Sequence, residues 1–174
     1  MVAIKNILFF ATAITALTLG KRDTATILSD IAAIDSKVQA LTTAANNYNG
    51  GLLAAIPIVT AQSSLEAAVD KGTTDAKATS QQTSAQSQSI LAAIDAGIPN
   101  VQASISSIVA KKAQFAADGL TATVRTGLVN LKAKNAAFAD ALIAIASADA
   151  KAAGAAQKAT INFGFDAAIA VFAA

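Results

Sequence analysis

The sequence contains no cysteine, no histidine and no tryptophan. Without cysteine it has no disulfide and no thiolate to act as nucleophile or metal ligand. Without histidine the usual general base of Ser-His-Asp and Cys-His arrangements is missing. With both absent, so are the common zinc ligands. Charge is also sparse, at 14% of residues, while 54% are hydrophobic. Much of that apolar content is alanine, a strong helix former. Only two prolines occur in 174 residues, so little interrupts long helices. No glycine-rich phosphate loop and no Asn-x-Ser/Thr site for an N-glycan is present.

The longest apolar stretch runs from Ile7 to Leu19. It is shorter than the roughly 20 residues that span a bilayer, so no transmembrane segment is expected. Lys5 precedes it, and Thr18 and Gly20 close it. A charged start, an apolar middle and a small-residue end describe a secretory leader. Lys21-Arg22 follows as a dibasic processing site. Residues 1–22 are therefore expected to be a signal peptide, and 23–174 a single secreted domain. Lys5, Lys21 and Arg22 leave with the leader and no acid does, so the formal charge falls from +2 to −1. Without a basic tract, nucleic acid is not an expected partner.

Helical periodicity runs through the rest. Ile27, Ile31, Ile34, Val38 and Leu41 recur at steps of three and four, one face of a helix. Asp23 or Thr24 can cap its start, and Asn46 through Gly51 supply its stop. A second helix carries Leu52, Ile56, Val59, Leu65 and Val69, with Pro57 either in its first turn or as a kink. Gly72 weakens it. A Ser/Thr/Gln-rich stretch from Thr73 to Ser89 is expected to be weakly helical, with a break near Thr79 to Gln82. A short third helix then holds Ile90, Leu91 and Ile94, and Gly97-Ile98-Pro99-Asn100 reads as a turn. A fourth helix carries Val101, Ile105, Ile108 and Phe115, and Asp118-Gly119 ends it. The fifth and longest carries Val124, Leu128, Leu131, Phe138, Leu142 and Ile145. The last, from about Ala152, carries Ile161, Phe165, Ile169 and Phe172. Short loops between such helices predict an all-α antiparallel bundle of five to six amphipathic helices.

Several segments in this order resemble the fungal hydrophobic surface binding protein A family, which includes the cell wall galactomannoproteins. They are Asp30-Ile31 to Leu41, the turn Tyr48-Asn49-Gly50-Gly51, Leu65 to Val69 with Thr74-Asp75-Ala76, Pro99 through Lys112 with Phe115, and Phe165 through Phe172. The resemblance implies fungal secretion and a helical bundle. It implies adsorption to hydrophobic surfaces with recruitment of a secreted polyester or cutin hydrolase; the alternative is a soluble fatty-acid carrier with a cavity between helices. Wall-anchored relatives carry a Ser/Thr-rich stalk and a lipid-anchor signal. This tail contains Asp166 and no polar spacer, so free secretion is expected ahead of cell-wall association.

No enzymatic activity, cofactor or metal is expected. Carboxylate pairs such as Asp30 with Asp35, or Glu66 with Asp70, read as solvated faces, and no motif marks a Ser–Lys pair. An apolar stripe is usually core, so a binding site needs apolar residues in surplus. Leu52-Leu53 and Leu142-Ile143 spill past a single stripe. The expected ligand- or surface-binding residues are therefore Leu52, Leu53, Ile56 and Val59 on the second helix, and Leu128, Phe138, Leu142 and Ile143 on the fifth.

Overall fold

The structure, a computed structural model, describes residues 23–173. The expected leader and the Lys21-Arg22 site lie outside the described residues. Helix α1 spans Thr24–Asn47 and is capped by Asp23, whose carboxylate accepts from the Thr26 N–H at 2.9 Å. It stops at Tyr48, where the chain enters Gly50 and Gly51 at φ of 101° and 96°, values that only glycine adopts without strain. One 3-10 turn, Leu53–Ala55, leads into α2, Ile56–Ala78, with Pro57 in its first turn. That position costs no hydrogen bond.

The expected break falls at Thr79 to Thr83. Helix α3, Ser84–Ala110, opens with a reciprocal capping box between Thr83 and Gln86, which satisfies two otherwise orphaned N–H groups. α4 is the short Lys112–Ala117, α5 is Thr121–Ile145 and α6 is Lys151–Val171. No strand occurs among the described residues.

Two expected boundaries are corrected. The helix expected to carry Val101 through Phe115 is interrupted at Lys111, so Phe115 lies on the separate α4. Gly97-Ile98-Pro99-Asn100 is no turn: α3 runs straight through it as one helix, with Pro99 inside. Proline forfeits one backbone hydrogen bond there. Burial of Ile90 and Leu91 before it and Ile108 after it anchors both halves against the bundle, and the Asn100 amide donates to Asp35 of α1 at 2.8 Å. α3, not α5, is thereby the longest helix.

Each long helix reverses the direction of the one before it. The lateral neighbours, however, form a ring in the order α1, α2, α5, α6, α3 and back to α1. Pairs α1–α2 and α5–α6 are antiparallel hairpins. The other three contacts are parallel, because α3 crosses over to lie between α1 and α6. One end of the ring is closed by aromatics: Tyr48 stacks on Phe115 with centroids 4.6 Å apart, and Phe172 meets Phe115 edge-on at 6.2 Å. At the other end the Gln82 N–H donates to Ile145 C=O at 2.8 Å, and the Thr24 hydroxyl donates to Gln82 at 2.6 Å. Gly72 has a packing role: a Cβ there would come 3.0 Å from the Phe138 ring, so the glycine lets that ring lie against α2.

Candidate functional site

A ring of five helices cannot fill its own axis unless large side chains meet in the middle. Here alanine and medium-sized aliphatics line much of the interior, and voids remain. One has a volume of about 90 Å³ and lies among α1, α3, α5 and α6. Its walls include Ile34, Ile90, Leu91, Ile94, Phe138, Leu142, Ile143 and Ile161. A second, of about 50 Å³, shares Ile34, Val38, Val101 and Asn135 with the first. A third, of about 20 Å³, shares Leu41, Ile108, Leu128 and Leu131 with the second. The shared walls place the three in a row along the bundle. On α5 they extend from Val124 to Ile143, about 29 Å at helical rise.

A few polar groups interrupt this lining. The Ser104 hydroxyl is buried in the second cavity, and the Asn135 amide stands where the first and second meet; neither the Ser104 oxygen nor the Asn135 nitrogen has a hydrogen-bond partner among the described residues. In the first cavity Gln157 donates to Leu91 C=O at 3.0 Å and to Asp95 at 2.7 Å, while its own carbonyl oxygen is unpaired. Burying such groups without partners is costly, and one molecule bearing a donor and acceptors would satisfy them together.

Asp35 and Lys158 are the charged residues in the wall of the first cavity, and each is engaged by a neighbour. Lys158 pairs with Asp140, Lys132 with Asp166 and Lys134 with Asp70, each crossing a helix seam at 2.5–2.6 Å. Lys71 bridges Asp30 at 2.5 Å and Asp75 at 2.8 Å. Its ammonium is held above the ordinary lysine range, by the hydrogen bond to Asp30 first and by that to Asp75 second. Asp30 departs from the solvated face expected of it: it is buried, with Lys71 stretched over it. Glu66 accepts from Gln62, and Asp35 accepts from Asn100 and Gln39. Asp30, Asp35 and Asp70 thus hold helices together, while the bond of Glu66 lies within α2.

The eight expected site residues divide between two places. Phe138, Leu142 and Ile143 line the first cavity, and Leu128 lines the second and third. Leu52, Leu53, Ile56 and Val59 line none of the three. They are 64%, 83%, 56% and 56% exposed, on the outside of the Tyr48 end. The walls contributed by α1, α3 and α6 are not among the expected site residues. Their stripes look the same whether the opposing space holds a side chain or a void, so only Ser104, Asn135 and Gln157, polar residues on apolar faces, could have signalled them.

The fold and site define a class: a helical container with an elongated apolar interior. The profile of the hydrophobic surface binding protein A family matches residues 24–144, and the chain belongs to that family. Among solved structures it is similar to AfMp4p in complex with palmitic acid, at 38% identity and a TM-score of 0.84, over 86% of this chain and 99% of that one. The fold is also that of ligand binding domain 1 of the Penicillium marneffei MP1 protein, complexed with arachidonic acids, at 10% identity and a TM-score of 0.81, over 86% of this chain and 99% of that one. Domain 2 of the same protein, complexed with multiple arachidonic acids, gives 16% identity and 0.82, over 88% and 98%. No curated protein matches the chain. Among the described residues no helix is long and apolar enough to cross a membrane.

Proposed function

We propose that this protein is a non-enzymatic carrier that holds a long-chain fatty acid along the axis of its helix ring. The observation that carries the reading is the row of adjoining apolar cavities with an unpaired hydroxyl and an unpaired amide at its middle, on Ser104 and Asn135. An acyl chain removes apolar wall from solvent-sized voids, and a carboxyl group offers partners to both polar atoms. In this arrangement Phe138, Leu142, Ile143 and Leu128 contact methylenes. AfMp4p, a relative by sequence as well as fold, was solved with palmitic acid, which supports this choice of ligand. With the leader expected over residues 1–22, the carrier acts outside the cell, free or in association with the wall.

A second reading is favoured by the exposure of Leu52, Leu53, Ile56 and Val59. These residues adsorb the protein to an apolar surface, as the family description implies. Recruitment of a secreted polyester or cutin hydrolase to that surface is the further step of this reading, and co-sedimentation of such a hydrolase on coated polyester beads tests it.

The carrier is tested by calorimetric titration with palmitate, together with mass spectrometry of lipid that co-purifies. Saturable binding is expected. Ser104→Ala should weaken it about three- to tenfold, the range of one lost hydrogen bond, with little change in melting temperature. A wild-type protein that takes up no palmitate, and purifies without lipid, removes the carrier reading.

A further inference from the structure

The exposed apolar cluster occupies one end of the bundle, and the structure there is fixed in place. The Asp118 carboxylate accepts from the Tyr48 hydroxyl and, at 2.6 Å, from the Gly51 N–H. The Lys111 ammonium reaches the Asn49 side chain of the same turn at 3.4 Å. Two consecutive glycines at positive φ then turn the chain outward. Leu52 and Leu53 are the next two residues, and they are held in solvent by a clamped turn. A single exposed leucine is ordinary. Four large aliphatics within eight residues, at the outer end of a clamped loop, form a patch that calls for a partner.

The charge around the patch indicates which partner. The sequence carries no charged residue between Lys37 and Glu66, or between Asp95 and Lys111. These stretches are the last turns of α1, the loop with the first turns of α2, and the second half of α3, all at the Tyr48 end. The charges at this end are Lys111, Lys112, Arg125 and Asp118. The one acid is committed to Tyr48 and Gly51. The three cations form no ion pair among the described residues. Asp166, the nearest acid on α6, is taken by Lys132. On α5, Arg125 and the exposed Val129 share one face four residues apart. Contact of Gly127 with Gln62 of α2 brings Arg125 to about the level of Thr60, beside Val59.

We propose that this end docks the protein on an anionic lipid surface. Leu52, Leu53, Ile56 and Val59 enter the acyl boundary, and Lys111, Lys112 and Arg125 meet the headgroup phosphates. Exposed aliphatics next to unpaired cations are the two elements of interfacial membrane binding. A neutral wax or polymer would engage the aliphatics and leave the cations unused. The inference rests on the reading of this cluster as a contact surface. It is independent of whether the axial cavities hold a fatty acid.

The test is flotation of the full chain with two kinds of vesicle, phosphatidylcholine alone and phosphatidylcholine mixed with phosphatidylserine. Partition to the anionic vesicles is expected, weakening as salt is raised toward 1 M. Lys111→Gln, Lys112→Gln and Arg125→Gln should each reduce it about fivefold. Leu52→Ser with Leu53→Ser should reduce it at least tenfold without changing the helical circular dichroism or the palmitate titration, since neither residue lines a cavity. Equal partition to both vesicle types would overturn the anionic assignment and leave adsorption to neutral apolar surfaces. No partition to either, or undiminished partition of the double serine variant, would overturn the docking surface itself. So would a wild-type dimer on size exclusion that the double variant dissolves, because the occupant would then be a second copy. Palmitate binding, measured separately, reports on the carrier reading alone.

Discussion

Ala139→Leu separates a binding cavity from a packing defect. Ala139 is half-buried on α5 and lines the first cavity, so the substitution places three carbons in space that the fold leaves open. An unfilled void costs about 24 cal/mol per Å³, so the 90 Å³ of the first cavity represents about 2 kcal/mol that filling can recover. Imperfect fit costs about 1–3 kcal/mol. The two nearly cancel. At roughly 2–4 °C per kcal/mol for a domain of this size, the ligand-free melting temperature should move by only a few degrees in either direction. Binding should respond very differently. A leucine there displaces about three methylenes of an acyl chain, each worth about 0.8 kcal/mol. The loss of about 2.4 kcal/mol is about fifty-fold in Kd. Calorimetry with palmitate reads the affinity, and differential scanning calorimetry reads the fold. A folded variant whose palmitate affinity lies within threefold of wild type would refute the assignment of the acyl chain to this cavity.

Further outcomes follow from other parts of the structure. Tyr48 is the only tyrosine, so an alkaline absorbance titration reads one phenol. Its pKa is pushed up from 10.0 to about 12, by burial first and by Asp118 second. A raised folded value means that the contribution is complete below pH 10 and is lost between pH 10 and 12. About 2 kcal/mol of stability should disappear over that window. Asp118→Asn should move the phenol back toward 10, and an unchanged titration in that variant would contradict the clamp. Phe172 is buried against Phe115, so Phe172→Ala should cost about 3–5 kcal/mol. Truncation after Gly164, which also removes the buried Phe165 and Ala168, should abolish cooperative melting altogether. Lys134→Met breaks an exposed pair with Asp70 and should change stability by less than about 1 kcal/mol; a larger loss would mean that the α2–α5 seam depends on that pair.

Local chemistry determined most of the secondary structure. The stripe from Ile27 to Leu41, the Asp23 cap, the paired glycines after Tyr48 and the polar break at Thr79 act through neighbours three or four residues away, so their effect is written in adjacent sequence. The buried role of Phe165 and Phe172 was legible for the same reason, since their helix has only one wide apolar face. Pro99 marks where that logic ends. A Gly-Ile-Pro-Asn run has the composition of a turn, and only apolar contacts made by both flanking halves against other helices keep α3 unbroken.

The site was decided by tertiary structure. Periodicity fixes which face of a helix turns inward, and leaves open what that face meets. The same spacing places Phe138, Leu142 and Ile143 on a cavity wall, and it gives Ile34, Ile90 and Ile161 that position too, although their stripes carry no surplus to mark it. The ring depends on α3 crossing to lie between α1 and α6, and no signal within α3 encodes that neighbour. Leu53 and Leu142 are alike as residues, each one of a pair of adjacent aliphatics beside a stripe. One faces solvent on a turn clamped by Asp118, 67 residues away in sequence, and the other lines the axis. Sequence sets the amphipathic period of each helix, whereas the void along the axis exists only where five helices meet and their side chains fall short of one another.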